Sequence, residues 1–286
     1  MNSQNEIYSI QDECRNKYFH ILDSLFSNSV KKRSFDTLCT LLRVGGIESF
    51  YNAYEESKIA FDDFNWMLSK AKSDRSLNCF RRIGLLIYCQ AVEMTVPHIV
   101  LANLLRCTLN QDYVIDPFKK LYRVPKRIKQ EFPNKGDLIP PSAKQKFKRI
   151  KELAHDAGQT DLEKSINHFF NDKVRNAFSH SDYVFTDTHF NNMKVETLDK
   201  ILCECFGFYE AFFAIYRDWM MKLGKNHQSN KWPNGEVLEL LRTDAEGLFG
   251  FHLHFSNGHK STYQRNQTGA DAININFDKD GRIEFV

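Results

Sequence analysis

Apolar positions in the first quarter of the chain recur at intervals of three and four. Ile7, Ile10, Cys14, Tyr18, Ile21/Leu22 and Leu25 mark a helical, if irregular, pattern that extends to about Leu68. Gly45-Gly46 interrupts it, and two further short helices are expected to follow, then a polar connector at 71–78. From about Leu77 to Leu109 the chain is apolar nearly all round, which predicts a long helix kinked at Pro97. A helix of that kind needs neighbours on several sides and belongs at the centre of a bundle. Five of the seven prolines fall between Asn110 and Pro141, a long irregular connection. Ser142 with Gln145 reads as a capping box opening a helix that stops near Gly158. Its Phe147, Ile150 and Ala154 face inward, and Lys144, Lys148 and Lys151 occupy another side. Thr160 with Glu163 reads as a second capping box. The helix it opens should run to about His180 on a stripe of Leu162, Ile166, Phe169, Phe170, Val174 and Ala177. The segment SDYVFTDTHF is more extended. A last long helix spans Val195 to Leu223, with Leu198, Leu202, Cys205, Phe208/Tyr209, Phe212, Ile215 and Trp219 inward.

After Gly224 the period changes to two. Phe249, Phe251, Leu253 and Phe255 alternate with smaller or polar residues up to Ser256-Asn257-Gly258. Ile273, Ile275 and Phe277 do the same before a turn at 278–281 leads to Ile283 and Phe285. The expected organisation is mainly α: an N-terminal helical region (1–75), a helical bundle (76–224) and a small antiparallel β unit (225–286).

Composition narrows the class. Hydrophobic residues at 42% and charged residues at 26% exclude wholesale disorder, and thirteen glycines are too few for a turn-rich all-β chain. Twenty-four Phe imply a core built from rings. The start, MNSQNEIYSIQDE, lacks the basic and apolar parts of a secretory signal. Gln90, Glu93, Pro97, His98 and Asn103 break up the most apolar stretch, so a cytoplasmic protein with no membrane contact is expected. Seven cysteines without regular spacing argue for reduced core thiols rather than a disulfide framework or thiolate metal site.

Charge becomes informative only locally. Between Lys119 and Lys151 stand twelve Lys or Arg against Glu131 and Asp137, a local excess of +10 on a chain whose net charge is +3, so the remainder carries −7. Such a segment suits a polyanion, with nucleic acid ahead of lipid; the plainer alternative is a solvated lysine-rich surface.

The residues that could carry chemistry are Val174-Arg175-Asn176-Ala177-Phe178-Ser179-His180-Ser181-Asp182-Tyr183. A guanidinium is a permanent bidentate partner for phosphate, and an imidazole moves protons near neutral pH. Together they suit RNA cleavage without a metal. A base takes the 2′-hydroxyl proton, an acid protonates the leaving oxygen, and the guanidinium stabilises charge on phosphorus.

This stretch resembles the HEPN superfamily, helical bundles whose nucleases share an Arg-x4–6-His motif with a polar residue after the arginine. Arg175, Asn176 and His180 match it, near the end of a bundle helix, and the resemblance covers about Leu77 to Leu223. Spacing alone does not choose, because Arg15 to His20 and Arg149 to His155 also fit. The third pair is favoured by its amphipathic helix and the polar segment after it. The resemblance implies a HEPN-like fold, with N-terminal helices and the C-terminal β unit as additions. It also implies an endoribonuclease without cofactor or metal, acting in a toxin–antitoxin or anti-phage setting, with a cognate antitoxin or regulatory protein as a partner. His180 would be the acid/base, Arg175 the phosphate clamp and Asn176 a positioner. Lys126, Arg127, Lys144, Lys148 and Lys151 would hold the RNA backbone. A non-catalytic module binding RNA, a nucleotide or a protein is the alternative.

Five residues along a straight helix place His180 about 140° round from Arg175, on the Leu162/Ile166 side, where a buried core histidine is the ordinary outcome. A distorted helix end, or the composite site that HEPN nucleases form between two domains, would resolve this; the second implies a homodimer or higher oligomer. Glu93, in the middle of the apolar helix, is a candidate contact for Arg175 or His180, or a structural salt bridge. Tyr183 is given no role. His252, His254 and His259 read as solvent-facing strand residues rather than a metal cluster.

Overall fold

A computed structural model of the chain describes residues 4–43, 53–70, 77–125, 138–225, 237–242, 248–254, 260–264, 271–277 and 283–285. The protein is mainly helical, with antiparallel sheet toward the C-terminus. The helices are α1 (Gln4–Lys32), α2 (Ser34–Leu42), α3 (Ala53–Lys70), α4 (Leu77–Glu93), α5 (Thr95–Thr108), α6 (Ala143–Asp156), α7 (Thr160–Phe169) and α8 (Asp172–Ser179). A short ribbon, β1 (His189–Phe190) and β2 (Met193–Lys194), leads into α9 (Val195–Lys225). The strands β3 (Val237–Arg242), β4 (Leu248–His254), β5 (Lys260–Gln264), β6 (Asp271–Phe277) and β7 (Ile283–Phe285) form an antiparallel sheet in the order β5-β4-β3-β6-β7.

The sequence expectations meet this structure unevenly. The helix before Gly45-Gly46 is two helices, separated at Arg33, and the described chain beyond the glycines holds one helix of 18 residues rather than two short ones. The long apolar helix breaks at Met94 with a bend of 48°. Pro97 is the cause: it has no N–H for the Glu93 carbonyl and its ring crowds that oxygen, so the ladder stops four residues upstream of the proline. Among the described residues no single helix is long and apolar enough to cross a membrane; α4 and α5 pass that test only as a bent pair. The Ser142–Gln145 capping box is present in both halves. Thr160–Glu163 is not a capping box, because Gln159 holds the N-cap and the Glu163 carboxylate is engaged by His155 Nδ1 at 3.2 Å. The helix expected to reach His180 divides at Phe170-Asn171 into α7 and α8. Both expected hairpins are present as β4-β5 and β6-β7, joined through the unexpected β3.

The chain forms two compact units. One comprises Met1–Ser24, Tyr54–Ala102 and Phe118–Ile215. Its core is aromatic, as the phenylalanine content implies. Phe169 meets Phe208 at 4.6 Å, Phe147 at 5.7 Å and Tyr18 at 6.4 Å between ring centroids, each in a tilted or edge-on pose that suits ring quadrupoles. Helices α1 and α9 come close at Gly207, where a Cβ would lie 2.7 Å from both the Arg15 backbone nitrogen and the Cys14 Cβ. Arg81 of α4 and Asp199 of α9 make a buried bidentate pair.

The other unit comprises Leu25–Ala53, Asn103–Pro117 and Tyr216–Val286. Here the buried Asp36 carboxylate accepts from the Tyr113 N–H at 2.7 Å and from Arg33 Nε at 3.0 Å, and Asn103 bonds both backbone groups of Val114. All seven cysteines are free thiols, five of them buried.

Candidate functional site

The arginine-bearing helix α8 exists as a separate element because of Asn171. Its side-chain oxygen accepts from the Lys173 and Val174 N–H groups at 3.1 and 3.2 Å, a cap that restarts the helix in a new direction. Tyr88 of α4 fixes the break. Its hydroxyl accepts from the Asn171 N–H at 2.8 Å and donates to the Asn171 carbonyl at 3.3 Å. Burial pushes this phenol far up, so it keeps the proton it donates. Val174 is the buried anchor of α8.

Arg175 lies between α8 and α4. Nη1 donates to Asn176 Oδ1 at 2.6 Å, Nη2 pairs with the Glu93 carboxylate, and the buried Nε has no acceptor among the described residues. The Cys89 thiol contacts the Arg175 carbonyl at 3.8 Å, and burial raises its pKa. The helix break before Pro97 corrects the placing of Glu93. It is the last residue of α4 rather than a mid-helix residue, and its side chain is 41% exposed, so little desolvation is involved. A carboxylate at a helix C-terminus faces the negative end of the dipole, which the guanidinium offsets.

His180 stands where α8 ends. Ser179 is the last helical residue, and His180 is the cap with φ −98° and ψ 5°. Ser181 turns left-handed at φ 56°. The Asp182 N–H donates to the Ala177 carbonyl at 2.9 Å and the Ser181 N–H to the Phe178 carbonyl at 3.1 Å, which together make a Schellman closure. The imidazole is exposed, not part of the core beside Leu162 and Ile166, because the break at Phe170-Asn171 sends α8 off the path that α7 would have continued. Five residues of regular helix turn about 140°, so regular α8 geometry alone does not bring the guanidinium and the imidazole of one chain together.

The competing motif pairs differ in this respect. Arg15 and His20 are exposed within the unbroken α1, and Arg15 pairs with Asp12 at 3.3 Å. Arg149 and His155 both lie inside α6, paired with Glu152 and Glu163 at 3.2 Å each. Of the lysines, Lys144 and Lys148 are exposed and Lys151 is half-buried, at i, i+4 and i+7 on α6. Lys144 meets Asp172 of α8 at 3.0 Å, which brings this row to the start of the helix carrying Arg175, and Lys151 donates to Asn167 at 2.9 Å. Lys126 and Arg127 lie outside the described residues, as do His259 and the side chains of His252 and His254. Among the described residues no three His, Cys, Asp or Glu side chains are grouped to hold a metal ion.

The sequence does not single out Tyr88, and it names Tyr183 without giving it a role. A tyrosine in an apolar helix reads as core, and only the Asn-Asp step at 171–172 hinted at a cap that a hydroxyl could brace. No protein-family model, curated protein or solved structure matches the chain.

Proposed function

We propose that the protein is a HEPN-type endoribonuclease that cleaves RNA without a metal, with Arg175 and His180 contributed by facing copies of the chain. The observation that carries this reading is the exposed His180 imidazole at the Schellman-closed end of a helix whose other face presents Arg175. An imidazole sealed among phenylalanines could not exchange protons with a substrate; one at a helix end can. His180 acts as base toward the 2′-hydroxyl, and a second imidazole, from the facing copy, protonates the 5′-leaving oxygen. Arg175 stabilises charge on the phosphorane oxygens, with Asn176 holding its Nη1. The row Lys144, Lys148 and Lys151 tracks the RNA backbone toward α8. The setting that goes with this chemistry is toxin–antitoxin or anti-phage defence, with a regulatory protein restraining the enzyme.

A second reading, a HEPN-like module that binds RNA, a nucleotide or a protein without cleaving, draws on the Glu93 carboxylate already paired with Arg175. The two separate in one experiment. Incubated with single-stranded RNA and excess EDTA, the nuclease produces 2′,3′-cyclic phosphate ends, whereas the binding module gives salt-sensitive retention of intact RNA. Undiminished cleavage by Arg175→Ala/His180→Ala would refute the nuclease assignment.

A further inference from the structure

The chain after His180 is held by a ladder of rings. Phe178 stacks on Tyr183 with centroids 5.4 Å apart and planes at 29°, and Tyr183 stacks on Phe190 at 5.3 Å and 27°. Phe185 meets Phe190 edge-on at 5.6 Å, and the Arg82 guanidinium of α4 lies 5.4 Å from the Phe185 ring centre. Phe190 is buried, so the ladder is anchored at that end. Phe178 stands two residues before His180 and Tyr183 three after it. Their stack therefore closes a small loop whose tip is the imidazole-bearing residue. The backbone agrees: Asn191 accepts the Val184 N–H at 2.7 Å and donates to the Asp182 carbonyl at 3.5 Å.

We infer that Tyr183 is a positioning residue for His180, acting through its ring and not its hydroxyl. Ser181 is a serine in the left-handed region, where a side chain is disfavoured by roughly 1–2 kcal/mol. Without an external hold the closure would open readily. The middle ring of the ladder supplies that hold, since stacked rings attract beyond the area they bury. Removing the ring leaves His180 in place in the sequence but frees its φ, ψ and ring direction, and a misplacement of an ångström at an acid/base group is enough to slow the chemistry. The inference rests on the nuclease reading for its catalytic consequence, but not for its structural one.

The test compares Tyr183→Phe, which keeps the ring, with Tyr183→Leu, which keeps apolar volume without it, and reads two things. Amide hydrogen exchange at Ser181 and Asp182 should be about tenfold faster or more in Tyr183→Leu and within about twofold of the unaltered chain in Tyr183→Phe. On RNA, kcat should fall about tenfold or more in Tyr183→Leu with KM little changed, and Tyr183→Phe should restore it. Unchanged exchange in Tyr183→Leu overturns the inference, as does equal loss in both variants, which would move the role to the hydroxyl. If the unaltered chain cleaves no RNA, the functional reading fails and the exchange data still decide the role of the ring. If His180→Ala is inactive while Tyr183→Leu is fully active, the inference fails alone.

Discussion

Helix α4 carries two arginine–carboxylate contacts, near its opposite ends, and they are built differently. Near its start, Arg81 is sealed: side-chain exposures are 2% for the arginine and 5% for Asp199. Nε and Nη2 meet the two carboxylate oxygens at 2.8 and 2.7 Å, and Nη1 reaches Asn78 at 3.4 Å. At its end, Glu93 and Arg175 are 41% and 25% exposed, one nitrogen makes the contact, and Nε has no acceptor among the described residues. The first pair is a fully satisfied fork that ties α4 to α9. The second is a half-exposed ion pair whose guanidinium keeps a buried Nε without an acceptor among the described residues. The pair that ties two helices together is saturated and dry; the pair at the end of α4 is partly wet and incompletely matched.

The largest expected effect follows from breaking the sealed pair. Arg81→Ala or Asp199→Ala strands a buried charge and should cost about 3–5 kcal/mol in denaturant unfolding. The double change Arg81→Met/Asp199→Leu should recover most of that loss, because neither charge is then left alone. Similar losses in single and double variants would contradict the stranded-charge explanation.

A buried base extends the contrast. His98 is fully buried, its ring packs edge-on against Phe147 at 4.5 Å, and neither nitrogen has a hydrogen-bond partner among the described residues. Burial, and then the Lys146 ammonium, lower its pKa to about 3. The folded state therefore holds His98 neutral while the unfolded chain takes up a proton below about 6.5. Stability from this site is complete above the unfolded value and is lost as pH falls toward 3. Between pH 7 and pH 4.5 the loss should be roughly 2–3 kcal/mol, at about 1.4 kcal/mol per pH unit below 6.5. In His98→Leu that part of the acid sensitivity, measured by urea unfolding at each pH, should vanish; equal sensitivity in both proteins would contradict it.

The smallest effect belongs to the exposed pair. Glu93→Ala should change unfolding free energy by about 1 kcal/mol or less. A cost matching that of Asp199→Ala would erase the distinction between the two ends of α4.

How much of this could be read in the residues depended on whether the signal was local. Ser142 and Gln145 form a cap from neighbouring atoms alone, and the pattern identified it. Thr160 and Glu163 have the same spacing, but His155, eight residues back, captures the carboxylate. The apolar run through Pro97 announced a bend, yet the break falls at Met94 because a proline disturbs the carbonyl four residues before it. Strand β3 escaped notice because Val237, Leu238, Leu240 and Leu241 do not alternate; it is the central strand of its sheet. At the candidate site the motif Arg175-Asn176…His180 was legible as a string. The exposure of His180 was not, since it hangs on Asn171 capping a new helix with the help of Tyr88, 83 positions away. The Glu93–Arg175 contact was among the readings the sequence left open.

In the proposed nuclease, Arg175 of one copy of the chain and His180 of a facing copy act on the same phosphate. The direct measurement is RNA cleavage by Arg175→Ala, by His180→Ala, and by an equimolar mixture of the two after subunit exchange. Each variant alone should lose about a hundredfold or more in rate, as loss of a charge clamp or an acid/base group implies, and the mixture should regain activity well above either. No regain in a mixture shown to contain mixed oligomers, or full activity in a strictly monomeric protein, would contradict it.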